Sequence, residues 1–128
     1  MLSLKKLFDR QESSMRKLQC PNCFERVFFE QDHCLACASR LVFDNSRLNF
    51  RVLDGANPCA NRTLIGCNWS AQSHSKYCLS CGLTRTTPSL GSSKNILLWR
   101  RVEQAKRRLV YDMQRLELPL SCNAWNCR

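Results

Sequence analysis

The sequence predicts a small α+β fold held together by its cysteines rather than by a large apolar core. Three observations predict it. Ten of the 128 residues are cysteine, and eight of them fall into two spaced sets. Short β-forming runs, RVFFE and RLVFD, alternate with turn-rich stretches. One long segment near the C-terminus has helical periodicity. Apolar residues make up 44%, a figure that includes the cysteines, and only six Phe, three Trp and two Tyr are present. A core split among such short segments is thin, and small domains of this kind add metal or disulfide staples.

Residues 1–18 read as a mobile or weakly helical arm, in which Leu2, Leu4, Leu7 and Phe8 are followed by a polar run without apolar spacing. Residues 19–45 form a first cysteine unit, built on CPNCFERVFFEQDHCLAC, with RVFFE and RLVFD expected as two strands. Residues 46–58 are expected to add a strand and linker ending in the turn signals Asp54-Gly55 and Asn57-Pro58. Residues 59–93 form a second, turn-rich cysteine unit. Residues 94–117 are the expected helix. Leu98, Val102, Ala105, Leu109, Met113 and Leu116 recur at steps of three and four, which sets them on one face. Ser92, Ser93 or Asn95 can cap its start, and Pro119 comes shortly after its end. Residues 118–128 form a short tail.

The cysteine spacing points to metal chemistry. Tetrahedral zinc takes four ligands, and two facing Cys-x-x-Cys turns supply four thiolates. Cys20, Cys23, Cys34 and Cys37 fit that scheme, with ten residues between the pairs. Cys59, Cys67, Cys78 and Cys81 make the second set, again with a ten-residue gap before the Cys-x-x-Cys, and His74 is the alternative ligand there. Two structural Zn²⁺ ions are therefore expected, and the fold class becomes two zinc-ribbon or knuckle units with short antiparallel strands followed by one amphipathic helix. The rival readings are a disulfide framework and a thioredoxin-like redox motif, and the latter lacks a surrounding βαβ pattern. No signal-peptide core and no apolar run of about 18 residues is present, which favours a cytoplasmic, reducing setting and no membrane span. Cys122 and Cys127 fit neither set and read as free thiols.

The segments CPNC, HCLAC, PCAN, GCNW, CLSCGLTRTTPSL and LWRRVEQAKRRLVYDMQRLELP run in order from about Leu18 to Pro119. In that order and spacing they resemble the amino-terminal zinc-ribbon region of the bacterial zinc-binding metallopeptidases. The resemblance implies a peptidase region with a His-Glu-x-x-His motif beyond the helix. This sequence departs from that pattern. Its two histidines, His33 and His74, stand in HCLAC and HSKYC. What carries over is the zinc-ribbon part and not the hydrolytic activity.

The expected function is a structural zinc module that scaffolds a peptidase-like region or protein partner through the C-terminal helix. The alternative is nucleic-acid binding. The net charge is +10, and Arg100, Arg101, Arg107, Arg108 and Arg115 are expected opposite the apolar stripe. Eight zinc-bound thiolates would lower that charge to about +6. An enzyme is not expected: no Gly-rich phosphate loop occurs, and Cys34, which stands beside His33, is better used as a metal ligand than as a nucleophile.

Overall fold

The computed structural model describes residues 17–120. The expected arm up to residue 16 and the tail cysteines Cys122 and Cys127 lie outside the described residues. The elements are β1 (Leu41–Asp44), β2 (Asn49–Val52), α1 (Arg62–Ile65), α2 (Leu79–Gly82) and α3 (Ser93–Arg115).

The strands form an antiparallel pair with Leu41 opposite Val52 and Phe43 opposite Phe50. The turn between them is set by Asp44, whose Oδ1 accepts from the Ser46 amide at 3.0 Å and the Ser46 hydroxyl at 2.6 Å. Such a side-chain bond to the backbone two residues on fixes a turn locally. All four residues of β1 are buried, because its other edge is covered as well. The Phe43 amide donates to Asn68 O at 2.7 Å, and the Ser70 amide donates to Phe43 O at 2.8 Å. The second cysteine unit thus adds a short stretch of backbone to the sheet of the first.

The RVFFE run forms no strand. Its Arg26 makes only an isolated bridge to Gln19. Val27 and Phe29 are buried and Phe28 is exposed, as a strand would place them, but the backbone is taken up locally: the Val27 amide donates to Leu18 O, the Gln31 amide to Phe28 O, and Asn68 Nδ2 to Phe29 O.

The core is an aromatic cluster centred on Phe43. Its ring lies 5.3 Å from Phe29, 5.5 Å from Phe50, 5.1 Å from Trp69 and 5.6 Å from Tyr111. These separations are in the range of favourable edge and tilted aromatic pairs. Phe29 and Phe43 come from the first unit and Phe50 from the strand paired with it, Trp69 comes from the second unit, and Tyr111 from α3. One core therefore serves all three parts of the chain.

Helix α3 packs on α1 and α2. It does so on a different face from the one the leucine spacing suggests. Trp99, Glu103, Arg107, Val110 and Tyr111 are buried. Leu98, Val102, Leu109 and Leu116 are exposed, with Val102 at 63% and Leu116 at 69%. A buried hydrogen-bonded network explains the choice. Glu103 Oε1 accepts from Trp99 Nε1 at 3.1 Å, from Thr84 Oγ1 at 3.2 Å and from Lys106 Nζ at 3.0 Å. Polar groups go inside when they satisfy one another. Arg107, expected on a basic outer face, is also buried.

The helix begins at Ser92, which is extended and makes no side-chain cap bond. It ends in a turn with Glu117 at φ 56°, where the Leu118 amide donates to Met113 O at 2.9 Å and the Glu117 amide to Gln114 O at 3.1 Å. That bond pair is the Schellman arrangement, here with a non-glycine residue in the left-handed position.

Candidate metal centres

The first centre is built from two copies of one turn. Cys20 N donates to Glu25 O and Phe24 N donates to Cys20 O, both at 2.8 Å. Fourteen residues later Cys34 N donates to Ser39 O at 2.8 Å and Ala38 N to Cys34 O at 2.9 Å. The residue after each second cysteine, Phe24 at φ 65° and Ala38 at φ 62°, is left-handed. That conformation costs an L-residue roughly 1–2 kcal/mol, so its repetition at both turns marks a geometry imposed by the site. The turns bring Cys20, Cys23, Cys34 and Cys37 together.

The second centre is assembled differently. Cys59 precedes α1, and Cys67 follows Gly66, which ends α1 at φ 68°. Cys78 caps α2, its Sγ accepting from the Cys81 amide at 3.3 Å, and Cys81 lies within that helix. The Cys78 amide donates to Cys59 Sγ at 3.4 Å. All four thiols are buried.

In each set the four sulfurs lie within 4.8 Å of one another. Four contacts are 3.4 Å for Cys23 to Cys34, 3.7 Å for Cys20 to Cys37, 3.7 Å for Cys67 to Cys78 and 3.8 Å for Cys67 to Cys81. Zinc–sulfur bonds of about 2.3 Å in a tetrahedron set sulfur–sulfur edges of about 3.8 Å. A disulfide would need about 2.05 Å. The donor sets therefore fit two structural zinc ions. Among the described residues neither set includes a histidine; His33 is exposed and pairs with Asp32 at 2.7 Å, and His74 is exposed.

The thiols are electrostatically unequal. The Ser39 hydroxyl, 3.1 Å from Cys37 Sγ, and the Asn22 amide at 3.5 Å hold Cys37 down to about 5. The Glu25 backbone lowers Cys23, but burial and the three surrounding thiols outweigh it and push Cys23 up to about 12. In the second set hydrogen bonds from Cys67, Cys78 and Cys81 push Cys59 down, while contacts with Cys59, Cys67 and Cys81 push Cys78 up. Four crowded thiols cannot all ionise without a cation among them, so metal binding is coupled to proton release.

Two side chains missed by the cysteine pattern tie the centres together. Asn68 Nδ2 donates to Phe29 O and Gln31 O, both at 2.8 Å. Arg62 reaches Leu41 O at 3.0 Å and Asp32 O at 2.9 Å. The stretch GCNW thus has a distinct task at each position: Gly66 for the left-handed turn, Cys67 in the second set, Asn68 as a clamp and Trp69 in the core. An asparagine placed between a cysteine and a tryptophan was the available signal.

With this geometry established, comparison with known proteins places the first unit. Residues 17–58 match the zinc-ribbon domain family. The matched span includes both strands and the first four cysteines. The uncharacterized protein Mb2598c of Mycobacterium bovis is 40% identical over 111 residues, covering 83% of this chain and 33% of its own length. The uncharacterized proteins MT2644 and Rv2568c of Mycobacterium tuberculosis show the same identity and coverage. The chain therefore spans about a third of the length of the curated relatives it matches. No solved structure matches it. No helix among the described residues is long and apolar enough to cross a membrane.

Proposed function

We propose that this chain is a structural zinc module, with Cys20, Cys23, Cys34 and Cys37 holding one ion and Cys59, Cys67, Cys78 and Cys81 the other. The observation that carries this reading is the pair of complete four-sulfur sets. Four thiolates fill the tetrahedron and leave no position for a reacting water, so each ion contributes folding energy rather than Lewis-acid chemistry. Eight thiols kept for metal suit the reducing cytoplasm. The module acts as the non-catalytic scaffold of a longer protein of metallopeptidase type. Supporting that are the order of the cysteine segments and the greater length of the mycobacterial relatives.

Zinc K-edge absorption on anaerobically purified protein tests the ligand sets. The expected shell is sulfur only, at about 2.3 Å, averaged over both sites. A shell with nitrogen or oxygen at about 2.0–2.1 Å would mark an open or histidine-containing site and contradict the reading.

A nucleic-acid role draws less support from the folded chain than from its composition. Of the five helix arginines, Arg107 is buried, Arg108 pairs with Glu30 at 2.9 Å and Arg115 with Asp112 at 3.6 Å.

A further inference from the structure

The outer face of α3 carries an apolar seam that the core does not use. Leu98, Val102, Ala105, Leu109 and Leu116 follow the alternating four-and-three spacing of a coiled-coil seam, with Asp112 at the one remaining seam position. All of them are exposed. The helix cannot roll to bury them, because Trp99, Glu103, Val110 and Tyr111 pin its opposite face in the core. The seam runs 19 residues from Leu98 to Leu116, about 28 Å of helix. Isolated exposed leucines are ordinary, but apolar residues at five of six seam positions on a fixed helix mark an interaction surface.

The charges beside the seam say what fits it. Lys94, Arg101, Arg108 and Arg115 recur every seven residues along one edge. They occupy the flanking row that selects partners in helix pairs. Lys94 and Arg101 also line a shallow groove with Ser93, Leu97 and Leu98 at the start of the helix. A second copy of this chain is a poor occupant. In an antiparallel pair the basic row would face itself, and in a parallel pair Arg101 would face Lys106. The chain's own first nineteen residues, with five Lys/Arg against two Asp/Glu, are basic too.

We infer that the outer face of α3 docks an amphipathic helix of another protein region whose apolar seam is flanked by carboxylates. The inference deepens the scaffold reading and rests on it: the zinc-held core fixes the helix, and the exposed seam is what the scaffold presents. Carboxylates opposite Lys94 and Arg101 gain partners where, among the described residues, none is supplied. At Arg108 they would exchange with Glu30.

The test uses the full zinc-loaded chain and two labelled four-heptad peptides. Both have leucine at the seam positions; one has glutamate in the flanking rows and the other lysine. The glutamate peptide is expected to bind at least about tenfold more tightly, and to weaken as salt rises from about 0.1 M to about 0.5 M. The charge-neutral variant Val102→Asn with Leu109→Asn is expected to abolish binding while zinc content and near-UV dichroism stay unchanged. Arg101→Glu should reduce the preference for the glutamate peptide. Absence of binding by a folded, zinc-loaded chain would overturn the inference. So would equal affinity for both peptides, seam-dependent self-association in sedimentation equilibrium, or seam-dependent binding of a duplex oligonucleotide in place of the peptide. A chain that folds and binds the glutamate peptide without zinc would keep this inference and overturn the zinc reading instead.

Discussion

Replacing Cys78 by serine unfolds the whole described structure rather than the second centre alone. Cys78 is fully buried, caps α2 and lies 3.7 Å from Cys67. Serine is a poor zinc ligand at neutral pH, so the variant loses most of the second ion's contribution, roughly 10–16 kcal/mol in small zinc-dependent domains. A domain of this size has about 5–15 kcal/mol of net stability to lose. The loss spreads because Trp69, Asn68 and Arg62, all from the second unit, pack on or bond to the first. Near-UV dichroism and amide exchange check this: protection at Leu41 and Phe43 in β1 should disappear along with protection around Cys78. Intact protection in β1 would show that the first ribbon stands alone.

Phe43→Ala is expected to cost about 3–5 kcal/mol in urea denaturation of the zinc-loaded chain. Phe43 is completely buried and its ring contacts four others drawn from all three parts of the molecule. Its removal opens a cavity that the pinned strand cannot close. Phe28→Ala is the matched control, since Phe28 is exposed. That substitution should change stability by less than about 0.5 kcal/mol. Equal effects of the two would mean that the shared aromatic core does not hold the units together.

The paired cysteines made the donor chemistry legible from sequence, because the type and spacing of zinc ligands are local properties. The strand RLVFD was legible for a similar reason: a compact β-forming run ends at Asp44, whose side chain sets the turn. The orientation of α3 was not legible. Leu98, Val102 and Leu109 have the stronger apolar pattern, yet the core takes Trp99, Glu103 and Tyr111. That choice depends on Thr84 and Lys106 satisfying Glu103, and on Phe29 and Phe43 meeting Tyr111, which are contacts between distant parts of the chain. The failure of RVFFE to form a strand has the same origin. Its residues have β-forming side chains, but the first cysteine turn takes Glu25 O, Gln31 takes Phe28 O and the distant Asn68 takes Phe29 O. The union of the two cysteine units was likewise hidden, since Asn68 and Arg62 show their role only once Phe29, Gln31 and Leu41 are beside them.

Two zinc ions are expected to hold one shared core. Titrating the reduced, anaerobic protein with a strong chelator, while measuring released zinc and near-UV dichroism together, would show whether they do. Two zinc ions per chain should be released, and the aromatic signal should be lost in step with them. A chain that releases no zinc, or keeps its aromatic signal after both ions are gone, would show that the core does not depend on metal.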